Sequence, residues 1–169
     1  CGDWGKNIAR TLKKMGILAA IEDQDHKSKI IAEELGTLFL TVKQVLADHS
    51  IKGVVIATPT PTHFKLAQQA LLAGKSVLVE KPMATQSEEI SALEKMAGEK
   101  GLILMAGHLL MYHKAFQKLK ALVQSEKIGR ILRIETSRKN LGKMHAHEGV
   151  LWDLGPHDLS MVLSLLERL

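Results

Sequence analysis

Strand-like and helix-like segments alternate along most of this chain with short connections between them, and few folds accommodate that order. "NIARTLKKMG" carries apolar residues at helical spacing (Ile8, Leu12, Met15) and ends on Gly16. "ILAAIED" is a short apolar run ending in acid. "KSKIIAEELG" is a helix closed by Gly36, "TLFLT" a strand and "VKQVLADHS" a helix. "GVVIATP" is a β-branched buried-strand run ended by proline. "THFKLAQQALLAGK" is a helix with a glycine stop, "SVLVE" a strand, and "QSEEISALEKMAGEKG" a helix with an acidic first turn, as the helix dipole favours. "LILMAGH" is a further strand. Alternation of this kind predicts an α/β fold with a doubly wound parallel sheet covered on both faces. With 169 residues, the chain has room for one domain, or for one domain and part of another.

After Tyr112 the pattern changes. A long helix, "AFQKLKALVQSEKIG", leads into "RILRIETSRK", which alternates Ile131, Arg133 and Glu135 against Leu132, Ile134 and Thr136. Such alternation predicts a strand with one exposed face. The expected division is a first domain over 1–114 and the beginning of a second α/β domain over 115–169. A lone strand and helix cannot bury a core, so the second domain is expected to be cut short.

The chain opens on "CGDWGKN". Gly2 and Gly5 fit the last two glycines of G-x-G-x-x-G, a dinucleotide-binding signature; the first glycine would fall before Cys1, and the strand that should precede it is missing. A piece of a longer protein is therefore expected. By itself "GDWG" is a weak signal that an ordinary loop would also produce. Its context favours a phosphate site, because the motif enters a helix whose amide N–H groups and dipole attract a pyrophosphate. Gly2 would let the backbone approach the phosphates and Gly5 would let the helix pack on a strand. Asp3 and Trp4 lie in the same loop. An acid then closes the next strand at Asp23, about 20 residues on, where a carboxylate holds the ribose hydroxyls of NAD and repels the 2′-phosphate of NADP. Glu22 is the rival, since alternation lets only one of the pair face the ligand.

Three other segments carry chemistry. Glu80, Lys81 and Pro82 in "VLVEKPMA" follow a strand, and ligands of doubly wound sheets lie beyond the carboxyl ends of strands. A lysine there would polarise a hydroxyl or carry a proton; a surface lysine is the plainer alternative. In "LWDLGPHD", Asp153 and His157 are four apart and share a face if helical. Imidazole suits a general base, and a neighbouring carboxylate would orient it. Pro156 places the helix start near it or removes one hydrogen bond, and a helix cap is the competing role. His145, His147 and Glu148 in "MHAHEG" have the density of a metal site, but no remote fourth ligand stands out, and no metal is expected. His108, Tyr112 and His113 in "GHLLMYHKA" would touch substrate or pack.

The net charge is +5, yet the lysines (Lys13, Lys14, Lys27, Lys52, Lys75, Lys100, Lys120, Lys143) are scattered and aromatics make up only 4%. That pattern solvates a surface and excludes a nucleic-acid platform as the expected role. No apolar run approaches the ~20 residues that span a bilayer. The single cysteine fits a reducing, cytoplasmic setting.

Taken in order, "CGDWGKN", "AAIEDQD", "IATPTPTH", "VEKPMA", "AGHLLMYHKA" and "LWDLGPHD" resemble the glucose–fructose oxidoreductase and inositol dehydrogenase (Gfo/Idh/MocA) family, nearest to its sugar-nucleotide branch. The E-K-P segment with a downstream D-x-x-x-H is the specific part; Lys114, where a proline is common, departs from the pattern. The resemblance implies a Rossmann-type domain followed by an α/β substrate domain. It implies an NAD(P)-dependent dehydrogenase acting on a secondary alcohol of a sugar or sugar nucleotide, with Lys81, Asp153 and His157 as the catalytic trio. It places Thr58, Pro59, Thr60 and His63 along the cofactor, and implies a dimer or tetramer. The alternative is a sensor or scaffold that binds NAD without turnover.

Overall fold

The structure, a computed structural model, describes residues 1–138 and 149–166, with only the backbone at Asp3 and Val150. It divides into two compact units, Cys1–Ala106 and Gly107–Leu169.

In the first unit the expected alternation is present: α1 (Asp3–Lys14), β1 (Ala20–Ile21), α2 (Lys29–Glu34), β2 (Leu38–Phe39), α3 (Val42–Ala47), β3 (Gly53–Ile56), α4 (His63–Leu72), β4 (Ser76–Val79), α5 (Ser87–Lys100) and β5 (Leu104–Ala106). Every ladder is parallel, as strands joined by helical crossovers require. β1 pairs with β2, Ile21 opposite Phe39. β3, β4 and β5 form a second sheet in that order, with Ile56 opposite Val79 and Val79 opposite Ala106. Short local signals delimit the helices. Thr41 and Gln44 form a reciprocal capping box at the start of α3. Gly101, at φ +63°, ends α5 in the left-handed conformation that a side chain would strain.

The core lies around β4. Val77 and Val79 are 2% and 0% exposed and pack with Ile56, with Ala67, Ala70 and Leu71 of α4, and with Leu93 and Ala97 of α5. The alanines let the helices approach closely, while the valines fill the pleat. Ala9, Ile21 and Ala32 form a smaller core beside β1.

One lysine departs from the surface role its scatter suggested. Lys75 is 2% exposed, and its ammonium donates to the carbonyls of Asp48 and Ile51 at 2.7 and 2.8 Å. These oxygens belong to the turn between α3 and β3, where no ladder satisfies them; the long side chain reaches under the turn to do so.

The second unit contains a 3-10 turn (Leu109–Tyr112), α6 (Lys114–Gln124) and α7 (Val150–Leu166). Lys120 donates to Ser164 at 2.6 Å and ties α6 to α7. The strand expected over 130–139 is not formed across its described residues, 130–138. A strand needs a ladder partner, and this segment pairs with none. Its burial also departs from alternation. Leu132 is 84% exposed, while Ile131 and Ile134, three apart, line an apolar groove with Leu119, Val123 and Leu165.

Replacing Lys75 by methionine preserves apolar volume but leaves the Ile51 carbonyl without its donor and the Asp48 carbonyl with the Ile51 amide alone. The variant should lose about 2–4 kcal/mol of stability, seen as a lower denaturant midpoint with an unchanged slope.

Candidate cofactor and catalytic site

In the first unit the candidate residues gather at the carboxyl ends of β1, β3 and β4, around the start of α1. Gly2 caps α1 with extended backbone (φ −64°, ψ 176°) and no side chain caps the helix. The first-turn N–H groups therefore point to open space, and a Cβ on Gly2 would meet nothing within 4 Å. Such a helix start suits a pyrophosphate. A Cβ on Gly5 would meet Cys1 at 3.6 Å, an ordinary contact. Asp3 is described by its backbone, in the first turn of α1.

Trp4 and Glu80, 76 residues apart, meet directly. The indole Nε1–H of Trp4 donates to Glu80 Oε1 at 2.6 Å. The other carboxylate oxygen of Glu80 accepts the Lys81 amide at 3.4 Å, and the Glu80 amide donates to Ile56 at 2.9 Å. One carboxylate thus links the glycine loop to the turn that carries Lys81. Lys81 is half-buried, Pro82 is buried, and the peptide between them is cis. No motif joins Trp4 to Glu80 in sequence; only the parallel sheet brings the ends of α1 and β4 together.

The acidic pair after β1 is resolved by environment. Asp23 accepts the Asp25 amide at 2.8 Å and the Ser28 hydroxyl at 3.1 Å. Burial opposes its charge, and the Asp25 amide and Ser28 hydroxyl oppose burial by donating to the carboxylate. Burial, and then the charge of Asp23, push the Glu22 carboxyl upward.

After β3, Thr58 and Pro59 are exposed and Thr60 is buried. Thr62 gives its hydroxyl proton to the Pro59 carbonyl at 2.7 Å. The Thr58–Thr62 contact at 2.6 Å is therefore donated by Thr58. His63 is 1% exposed, its two ring nitrogens held by the carbonyls of Pro82 and Thr58.

In the second unit, α7 runs through Pro156 without a break, so the missing N–H leaves the Trp152 carbonyl without its helical donor. Asp153 and His157 lie one turn apart on one face; Asp153 is half-buried and His157 buried. Asp158 takes Arg138 Nε at 2.8 Å, so the acid next to His157 is engaged elsewhere. His113 caps α6 through Nδ1, which accepts the Ala115 amide at 3.3 Å. Tyr112 is exposed, and His108 stands at the start of the 3-10 turn. His145, His147 and Glu148 lie outside the described residues.

Parallel strands whose carboxyl ends carry a helix start, an acid and a lysine turn define a dinucleotide-binding class. The model of the Gfo/Idh/MocA family, an oxidoreductase family with an NAD-binding Rossmann fold, matches residues 3–108, and the chain belongs to that family. It is 33% identical over 167 residues to UDP-N-acetylglucosamine 3-dehydrogenase of Acidithiobacillus ferrooxidans, covering 97% of this chain and 51% of that protein. The chain thus spans about half the length of this relative. A structure of that enzyme, GnnA, superposes with a TM-score of 0.67 at 35% identity, over 71% of this chain and 40% of the other. GenD2 from gentamicin A biosynthesis, crystallised with NAD, superposes with a TM-score of 0.82 at 25% identity, over 99% and 52%.

Replacing Trp4 by phenylalanine removes the only donor the indole gives to Glu80. NAD affinity, measured by calorimetry, should fall about threefold to tenfold, the worth of one partly exposed hydrogen bond to a charge. The melting temperature should stay nearly unchanged.

Proposed function

We propose that this chain carries the cofactor-binding half, and part of the catalytic machinery, of an NAD-dependent dehydrogenase that oxidises a secondary alcohol of a sugar or sugar nucleotide. The observation that carries this reading is the Glu80–Lys81–Pro82 turn. It stands at the carboxyl edge of the central sheet in a family of NAD-binding oxidoreductases and is tied by Trp4 to the phosphate-binding helix start.

Bound NAD+ would supply the acceptor for the hydride that leaves the carbinol carbon. The chain's own groups do the rest. The α1 N-terminus, with Gly2, Asp3, Trp4 and Gly5, holds the pyrophosphate. Asp23 accepts the ribose hydroxyls, and its ionised carboxylate disfavours a 2′-phosphate, which makes NAD the preferred cofactor over NADP. Thr58, Pro59, Thr60, Glu80 and Pro82 border the nucleotide. Lys81 donates to the substrate hydroxyl and stabilises the negative charge that develops on its oxygen. His157 takes the hydroxyl proton as the C–O bond becomes a carbonyl. Asp153, one turn before it on α7, orients the ring and stabilises its charged form. Lys81 and His157 are exchangeable in these two roles.

The substrate class is supported by the sugar-nucleotide relative and by the E-K-P and D-x-x-x-H segments. The resemblance also favours a dimer or tetramer of the whole protein. A cytoplasmic setting is supported by the single cysteine, and no helix among the described residues is long and apolar enough to cross a membrane.

Lys81→Ala and His157→Ala, each in the intact protein, should lower kcat about a hundredfold or more, the usual scale for a positioned proton-transfer group. Unchanged turnover in both variants would remove the assignment. Asp23→Ser should weaken NAD binding while improving the relative affinity for NADP, as two parallel cofactor titrations would show.

A further inference from the structure

His63 opens α4 and is 1% exposed. Its Nδ1 stands 2.8 Å from the Pro82 carbonyl oxygen and its Nε2 stands 2.7 Å from the Thr58 carbonyl oxygen. Carbonyl oxygens only accept. A neutral imidazole has one N–H, so its other nitrogen would turn a lone pair against a carbonyl lone pair. Two hydrogen bonds at these distances need a proton on each ring nitrogen.

The two carbonyls belong to different loops. Thr58 follows β3 and Pro82 follows β4, neighbouring strands whose ends, Ile56 and Val79, lie opposite each other. Pro82 is the residue next to Lys81. Tension or slack in either loop would move the lysine relative to the sheet edge, and one ring spans both.

We propose that His63 is a positioning residue. Its ring, donating from both nitrogens, bolts the Thr58 loop to the Lys81–Pro82 turn and so sets the direction from which Lys81 reaches the substrate. The proposal rests on the reading of Lys81 as a group acting on the substrate hydroxyl.

Two measurements on the intact protein test it. Long-range 15N–1H spectra of the unaltered protein count the ring protons of His63 without reference to activity. Two N–H groups are expected, and a single neutral tautomer overturns the two-point bolt. For the second, His63→Ala leaves a ring-sized space that free imidazole can enter. At saturating NAD and substrate, kcat should fall about a hundredfold, as misplacement of a reacting group does, while the Kd for NAD barely moves. Imidazole should restore most of the loss. 1-Methylimidazole, which has lost one of its two donors, should not. Equal rescue by both compounds, or a raised Kd for NAD with kcat intact, overturns the proposal. An intact protein without dehydrogenase turnover would instead end the reading of Lys81, and the ring-proton count would still decide whether His63 spans both loops.

Discussion

Val77 and Val79 leave solvent almost completely, and most of the first unit follows from that burial. A strand flanked on both edges by parallel neighbours and covered by α4 and α5 has nowhere to slip, because a shift of one residue would turn both valines out of the core. The end of β4 is therefore a fixed point. Glu80 continues the ladder by donating to Ile56, and Lys81 and Pro82 emerge from it at a defined height above the sheet. The Glu80–Lys81–Pro82 turn inherits its position from two apolar side chains.

Polar contacts then join this fixed edge to less constrained segments. Glu80 bridges the Trp4 indole and the Lys81 amide with its two oxygens; His63 spans the loops after β3 and β4. Lys75 performs a similar task on the other side of the sheet, holding the turn before β3 by two carbonyls. Each of these side chains satisfies backbone or side-chain groups of segments that no sheet ladder reaches. His63 and Lys75 are buried, and engaged polar groups of that kind make loop positions definite. Near Asp23 the same principle acts on charge: hydrogen-bond donors concentrate on one carboxylate, and its neighbour Glu22 is left to burial and repulsion.

The alternation of elements was legible because strand and helix periods are written locally. Glycine stops, the Thr41–Gln44 cap and the β-branched runs each mark their boundaries within a few residues. The glycine loop, the acid after β1 and the E-K-P segment were legible as motifs for the same reason. The segment 130–138 was not, since its alternating residues predict a face, whereas a strand also needs a partner, which sequence pattern does not supply. Lys75 read as one solvated lysine among many, because nothing local distinguishes a lysine that points under a turn from one that points into water. The family resemblance placed His63 along the cofactor and gave no sign of its ring partners. Both its partners are backbone carbonyls, which carry no sequence signature.

The sequence by itself determined the order of elements, the parallel α/β class and the residue types at the strand ends, because hydrophobic period and turn chemistry are short-range properties. Only the tertiary structure decided which side chains meet: Trp4 with Glu80 across 76 residues, the His63 ring with Thr58 and Pro82, the Lys75 ammonium with Asp48 and Ile51. Those pairings follow from how parallel strands align their ends, carboxyl ends for Glu80 and His63 and amino ends for Lys75, a long-range outcome of packing that no local pattern encodes.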